Sequence, residues 1–392
     1  MLLSPNRPMR RYSFLRLLIN INMTCFFNAL FNFALYNTSM ITKDQILHAL
    51  GHVEEPDLKK DLVTLNMIQN IEILPGKVKF DVVLTTPACP LKGHIEHACR
   101  NAIALFVSKE VEVEINMTSR VLASESAQLD GIKNIILVSS GKGGVGKSTV
   151  AANIALALSE SGAKTGLLDA DIYGPSLPIM FGLEGTRPES MQTPEGKSKI
   201  LPIEKFGLKL LSIGFFTDPN QPIPWRGPMA TSAIKQLFGD AHWGELDYLV
   251  VDMPPGTGDI HITVAQSYPI AGAVIVTTPQ QVALADAIKG IGMYQMDGIN
   301  IPILGIVENM SYFTPAELPD NRYYIFGKDG GKRLAGSNNV PFLGEIPLVK
   351  AVADAGDNGF PILLDADEPV SVAYNKIAGR VAQELSIIKS KK

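Results

Sequence analysis

An apolar run, Ile135–Val138, leads into Ser139-Ser140-Gly141-Lys142-Gly143-Gly144-Val145-Gly146-Lys147-Ser148-Thr149. A helix-forming stretch, Val150–Leu158, follows at once. Strand, glycine-rich loop and helix in that order constrain the fold more than any other part of the chain. Glycines let consecutive backbone N–H groups turn inward around a phosphate without Cβ clashes. The helix N-terminus adds partial positive charge. At this spacing Lys147 reaches the β- and γ-phosphates of a nucleotide, and the Ser148 hydroxyl is placed to ligate Mg²⁺.

A loop of this kind needs a sheet and helices around it, and the flanking sequence supplies them. Thr165–Leu168, Tyr248–Val251, Ala273–Val276 and Ile303–Val307 are short apolar runs without period-two alternation. Strands of that type are buried on both faces, which predicts a mostly parallel sheet flanked by helices. Residues 183–207 are rich in glycine, proline and charge and read as a surface insertion.

Upstream, the pattern differs. Ile41–Leu50 and Leu91–Phe106 are apolar at helical spacing. Val63–Leu74 and Val78–Thr85 are strand-like, joined by Pro75-Gly76, and Val111–Ile115 alternates strictly. This predicts a small αββαβ domain over residues 40–117, a polar linker over 118–132 and the nucleotide-binding α/β domain over 133–390. Residues 1–39 stand apart. Arg7, Arg10, Arg11 and Arg16 precede an apolar stretch interrupted by Asn20, Asn22, Asn28 and Asn32. That segment reads either as a targeting segment or as sequence upstream of a true start at Met40.

Composition narrows the function. A formal net charge of −4, from 35 basic and 39 acidic residues, provides no global field for nucleic acid. Three cysteines, Cys25, Cys89 and Cys99, are too few for a disulfide framework and suit a reducing compartment; with the need for ATP, this points to the cytoplasm. No membrane association is expected: the amphipathic tail Val370–Ile388 is read as packing on the sheet.

Two carboxylate motifs lie at predicted strand ends. Thr165–Leu168 runs into Asp169-Ala170-Asp171, and Tyr248–Val251 into Asp252-Met-Pro-Pro-Gly-Thr-Gly-Asp259. A carboxylate at the tip of a strand beside a phosphate loop can hold Mg²⁺ or its waters. Asp252 is the Mg²⁺ candidate together with Ser148, Asp169 supports the metal shell, and Asp171 orients the attacking water. Gly256 and Gly258 make the second motif a candidate switch for the γ-phosphate.

The second lysine of the loop, Lys142, marks a deviant Walker A, KGGVGKST, which resembles that of the MinD/ParA-like subclass of P-loop ATPases. The resemblance implies a face-to-face homodimer in which Lys142 contacts the partner's nucleotide. Leu167–Gly182, Trp225–Met229, Asp252–Asp259 and Val307–Phe313 are similar to the Mrp/ApbC iron–sulfur cluster carrier family, and Thr85–Leu91 resembles the metal–sulfur cluster assembly domain often fused ahead of it. The resemblance implies ATP-dependent binding of iron–sulfur clusters and their transfer to apoproteins, with the nucleotide held by residues 141–149 (Gly141, Lys142, Gly143, Gly144, Val145, Gly146, Lys147, Ser148 and Thr149) and its adenine contacted by Asn309.

One departure stands out. Carriers of this type hold a bridging cluster on a Cys-x-x-Cys after the Val307–Phe313 segment, whereas Thr314–Phe326 here has no cysteine. Thiolates are the usual cluster ligands. Cys89, between Pro87 and Pro90 and just before a predicted helix, is left as the candidate contact, with a thiol pKa expected to be lowered by the helix N-terminus. Four thiolates, Cys89 and Cys99 from each subunit, would meet only if the small domains met across the two-fold axis. An adaptor that holds no stable cluster and a MinD/ParA-like positioning ATPase are the alternative readings.

Overall fold

The computed structural model describes residues 41–123, 129, 131–194, 196–218, 224–365 and 368–391. The basic and apolar opening segment therefore lies outside the described residues.

The first unit contains α1 (Lys43–Leu50), β1 (Ile68–Leu74), β2 (Lys77–Leu84), α2 (Lys92–Phe106) and β3 (Glu112–Ser119). Its three-stranded sheet has the order β1-β2-β3, antiparallel then parallel. Thr42 and Gln45 form a reciprocal capping box that starts α1. Along β2, Val78, Phe80, Val82 and Leu84 alternate inward and pack with Ile46, Leu50, Ile95 and Ile103. Strand β1 starts later than the apolar pattern suggests. Thr64 N–H donates to Asp61 at 2.8 Å, and Asn66 adopts a φ of 55°, so this stretch turns instead of extending.

The second unit runs through β4 (Ile135–Ser139), α3 (Lys147–Glu160), β5 (Thr165–Asp169), β6 (Ile203–Lys205), β7 (Leu208–Ser212), α4 (Gly227–Gly239) and β8 (Tyr248–Asp252). It continues with α5 (Asp259–Ser267), β9 (Ile270–Thr277), α6 (Gln281–Gln295), β10 (Ile303–Glu308), α7 (Gly330–Ser337), β11 (Phe342–Glu345), α8 (Lys350–Asp357) and α9 (Pro369–Ser390). These strands form an eight-stranded sheet in the order β6-β7-β5-β8-β4-β9-β10-β11. Every neighbouring pair is parallel except β6 with β7. Every residue of β4, β5, β8 and β10 is buried, as the absence of alternation predicts.

Two features refine the sequence reading. The insertion carries a short hairpin, Ser190–Gln192 with Ser198–Ile200, and its end supplies β6, which closes the sheet edge. The tail helix α9 packs against α3 and buries Val370, Tyr374, Ile377, Val381 and Leu385. Its apolar face is thus occupied by the core and is not available to a membrane surface. Among the described residues no helix is long and apolar enough to cross a membrane.

Candidate functional site

Sheet register assembles the site. Strand β8 lies between β4 and β5, with Asp252 opposite Val138 on one side and opposite Asp169 on the other. The carboxylates at the ends of β5 and β8 therefore flank the loop that leaves β4, at the carboxyl edge of a parallel sheet.

The loop folds around two tight glycines. A Cβ on Gly141 would meet the backbone carbonyl carbon of Asp286 in α6 at 2.2 Å. Gly146 has a φ of 81°, and a Cβ there would meet the Asn309 amide nitrogen at 2.2 Å. Asn309 follows β10, is buried and donates through Nδ2 to the Val145 carbonyl at 2.9 Å. The structure thus places Asn309 as a brace on the loop wall. Helix α3 begins at Lys147 with no side-chain cap, so its first amide groups are not engaged by a capping side chain.

Lys147 is buried beneath the loop. Its Nζ donates to Asp252 Oδ1 at 2.6 Å, and lies 3.3 Å from Ser148 Oγ and 3.5 Å from Asp171 Oδ2. The second oxygen of each carboxylate, Asp252 Oδ2 and Asp171 Oδ1, is buried without a hydrogen-bond partner. Burial pushes the Asp252 carboxyl above the usual carboxylate range, against the opposing pull of Lys147. Unpartnered buried oxygens are costly. A divalent cation and an ordered water would satisfy them, so these side chains fit Mg²⁺. Lys142 is exposed, and its ammonium has no hydrogen-bond or ion-pair partner among the described residues.

Asp169 has a structural task beside the metal shell that the sequence reading gave it. It is fully buried, and its carboxylate accepts from Asp171 N–H at 3.0 Å, Ser176 N–H at 3.1 Å, Leu177 N–H at 3.2 Å and the Ser212 hydroxyl at 3.0 Å. Oδ2 takes three of these donors and Oδ1 takes one, so the carboxylate is committed mainly to the backbone of the 171–177 loop and to Ser212. Burial first, and then the charge of Asp252, push its carboxyl up to about 7. In the structure Asp169 anchors the loop that carries Asp171.

Cys89 also departs from expectation. The thiol is half-buried, and burial raises its proton affinity more than the backbone N–H of Leu91 lowers it; Glu55 and Asp57 add to the rise. Cys99 lies in the small-domain core, and burial pushes it up to about 12. No group of three or more potential metal-ligating side chains occurs among the described residues. Across the start of the stretch that lacks cysteines, Phe313 and Tyr323 form an antiparallel bridge and Arg322 lies 4.2 Å over the Tyr312 ring.

Three residues carry weight that no sequence pattern flagged. Ser212 completes the Asp169 cradle. Glu308 is buried and accepts from Gly331 N–H at the start of α7. His261 is buried behind the 252–259 loop, neither ring nitrogen has a hydrogen-bond partner of good geometry, and burial lowers its pKa to about 4.

Comparison with known proteins bears directly on this geometry. The family model described as "NUBPL iron-transfer P-loop NTPase" matches residues 131–382, and the one described as "Iron-sulfur cluster assembly protein" matches residues 43–115. The chain belongs to the NUBPL iron-transfer P-loop NTPase family. A relative from Synechocystis sp. named an iron-sulfur cluster carrier protein is 48% identical over 353 residues, covering 89% of this chain and 99% of the relative. A carrier of the same name from Escherichia coli K12 is 40% identical over 340 residues, 86% of this chain and 90% of the relative. A nucleotide-binding protein from Archaeoglobus fulgidus, solved in complex with ADP, matches with a TM-score of 0.52 and 38% identity, over 62% of this chain and 91% of that one. The chain is therefore a P-loop NTPase of the iron–sulfur carrier type, as the motifs of its loop and strand ends imply.

Proposed function

We propose that this protein binds and hydrolyses ATP as a nucleotide-switched homodimer and carries iron–sulfur clusters to apoproteins. The observation that carries the reading is the buried Lys147–Asp252–Asp171 cluster, with one unpartnered oxygen on each carboxylate, beneath a loop that presents a free Lys142. The loop amides and the N-terminus of α3 bind the phosphate chain of ATP. Lys147 leaves Asp252 to meet the β- and γ-phosphates. Ser148 and Asp252 would hold Mg²⁺, which when bound neutralises phosphate charge. Asp171, steered by Asp169, orients the attacking water through its free oxygen. Lys142 of the partner subunit stabilises the charge that develops on the transferred phosphoryl group, in the manner of an arginine finger. Asn309 keeps the loop wall in place, and the resemblance gives it the adenine contact.

The cluster is cargo in this scheme. The absence of cysteines from Thr314–Phe326 favours a second reading, an adaptor ATPase that positions apoproteins without a stable cluster of its own. One experiment separates the two: anaerobic reconstitution with iron and sulfide, followed by transfer to an apoferredoxin. A carrier acquires a visible chromophore and activates the acceptor. An adaptor hydrolyses ATP yet acquires no chromophore. Absence of Mg²⁺-dependent ATP hydrolysis overturns both.

A further inference from the structure

The loop that holds Cys89 does not stand free of the NTPase unit. Thr86 is buried and accepts a hydrogen bond from the Tyr248 hydroxyl at 3.1 Å. Ala88 packs against the NTPase core, and Gly379, in the middle of α9, lies under the same loop. A Cβ on Gly379 would sit 3.0 Å from the Ala88 carbonyl oxygen, with Pro90 side-chain carbons at 3.7 and 3.8 Å. Glycine inside a helix costs about 1 kcal/mol relative to alanine, so its place here has a packing reason. That reason is the close approach of the 86–90 loop.

The cavity at this seam measures about 10 Å³ and is lined by Glu55, Asp57, Thr86, Cys89, Gln383 and Ser386 among others. That is roughly the space of one water molecule. An iron–sulfide unit needs far more. The seam is also remote from the nucleotide. Tyr248 begins β8 and Asp252 ends it, and four residues of strand span ~13 Å.

We propose that docking of the 86–90 loop against α9 and Tyr248 is an autoinhibitory contact: it covers the half-buried Cys89 thiol on the α9 side, and the thiol becomes fully open to iron only when the small domain swings off the base of the NTPase sheet. The docking stands on the contacts alone. Its consequence for cluster uptake rests on the carrier reading, and the test below does not depend on that reading.

The test measures the rate of iodoacetamide alkylation of Cys89 in the full-length chain, peptide by peptide in a mass spectrometer. The proteins are the parent, Gly379→Leu and Tyr248→Phe. Small-angle scattering reports whether the small domain is docked. Gly379→Leu inserts a branched side chain where a single Cβ is already tight, so the domain separates and Cys89 reacts about tenfold faster or more. Tyr248→Phe removes one hydrogen bond and gives a smaller rise in the same direction. Cys99, buried in the small-domain core, serves as an internal control for unfolding and stays slow in each protein. A separated domain with an unchanged Cys89 rate overturns the proposal, as does a Gly379→Leu protein that stays docked. If Gly379→Leu does not fold, Tyr248→Phe decides: a rate equal to the parent overturns the proposal.

Discussion

At the scale of single residues, the two lysines of the loop differ in burial, and this separates what their loss does. Lys147 pairs with Asp252 and Asp171, both buried. Removing one partner of a buried ion pair leaves uncompensated charge and typically costs about 3 to 5 kcal/mol. Lys147→Ala is therefore expected to lower the urea midpoint of the nucleotide-free protein as well as to abolish tight ATP binding; an unchanged midpoint would show that the carboxylates do not depend on Lys147. Lys142 is exposed and unpaired, so Lys142→Ala should shift stability by no more than about 0.5 kcal/mol. ATP affinity should also persist, while turnover falls by about 10³ if the lysine acts as a charge-stabilising finger. Parent-rate hydrolysis in Lys142→Ala would remove the trans role. Asp171→Asn, in turn, should keep ATP bound and block turnover, as read by equilibrium dialysis beside a phosphate-release assay. Lost affinity instead would make Asp171 structural. The loop, Lys147, Ser148, Asp171 and Asp252 were legible in the sequence because their chemistry is tied to fixed spacing at strand ends. The task of Asp169 was not, since it depends on Ser212, which reaches it only after β7 pairs with β5, and on the N–H groups of Ser176 and Leu177 in the loop that follows.

At the scale of elements, the segment between β8 and α5 lies against His261. The ring is buried, its pKa is lowered to about 4, and the ordinary value is 6.5. Between these two pH values the unfolded chain binds a proton that the folded chain excludes, so stability falls as pH drops from 6.5 toward 4. The slope attributable to this group approaches about 1.4 kcal/mol per pH unit within that window. Urea denaturation at a series of pH values should show this fall in the parent and a flatter profile in His261→Gln. Equal slopes would assign the acid sensitivity elsewhere. Nothing in the sequence singles out this histidine, because a burial effect of this kind depends on how α5 packs behind the loop. The parallel sheet, by contrast, was legible from apolar runs without alternation. The edge strand β6 was not, since its three residues acquire strand form only by pairing with β7 inside a stretch that reads as surface insertion. Nor did the N-terminus of α2 predict the state of the Cys89 thiol, because desolvation and two nearby carboxylates outweigh the backbone N–H groups.

At the scale of the whole molecule, the placement of the two units decides where thiols and nucleotides meet. The proposed dimer, closed through Lys142, would bring the carboxyl edges of two sheets together. In the docked arrangement the 86–90 loop lies at the opposite edge, beside Tyr248 and α9. The four-thiolate arrangement of Cys89 and Cys99 across the two-fold axis therefore does not follow from this structure, and Cys99 is in any case a core residue whose thiol faces no solvent. Two consequences are open to measurement. Anaerobic reconstitution should give the same iron content in Cys99→Ser as in the parent, once corrected for folded protein; that variant should lose stability, because a buried hydroxyl left without a partner costs about 1 to 3 kcal/mol. Iron lost from Cys99→Ser but retained in Cys89→Ser would reverse the roles assigned to the two thiols. The proposed dimer is tested separately, since in the proposed scheme it depends on nucleotide and not on cluster. Asp171→Asn incubated with ATP and Mg²⁺ should elute at about twice the monomer mass, because uncleaved ATP holds the two carboxyl edges together, as a ligand that binds only the closed state must. Adding Lys142→Ala to Asp171→Asn should return the protein to the monomer position with ATP still bound, since the lysine that crosses between subunits is then missing while the loop, Lys147 and Ser148 remain. A double variant that stays dimeric would place the subunit contact outside the loop and detach dimer formation from the nucleotide.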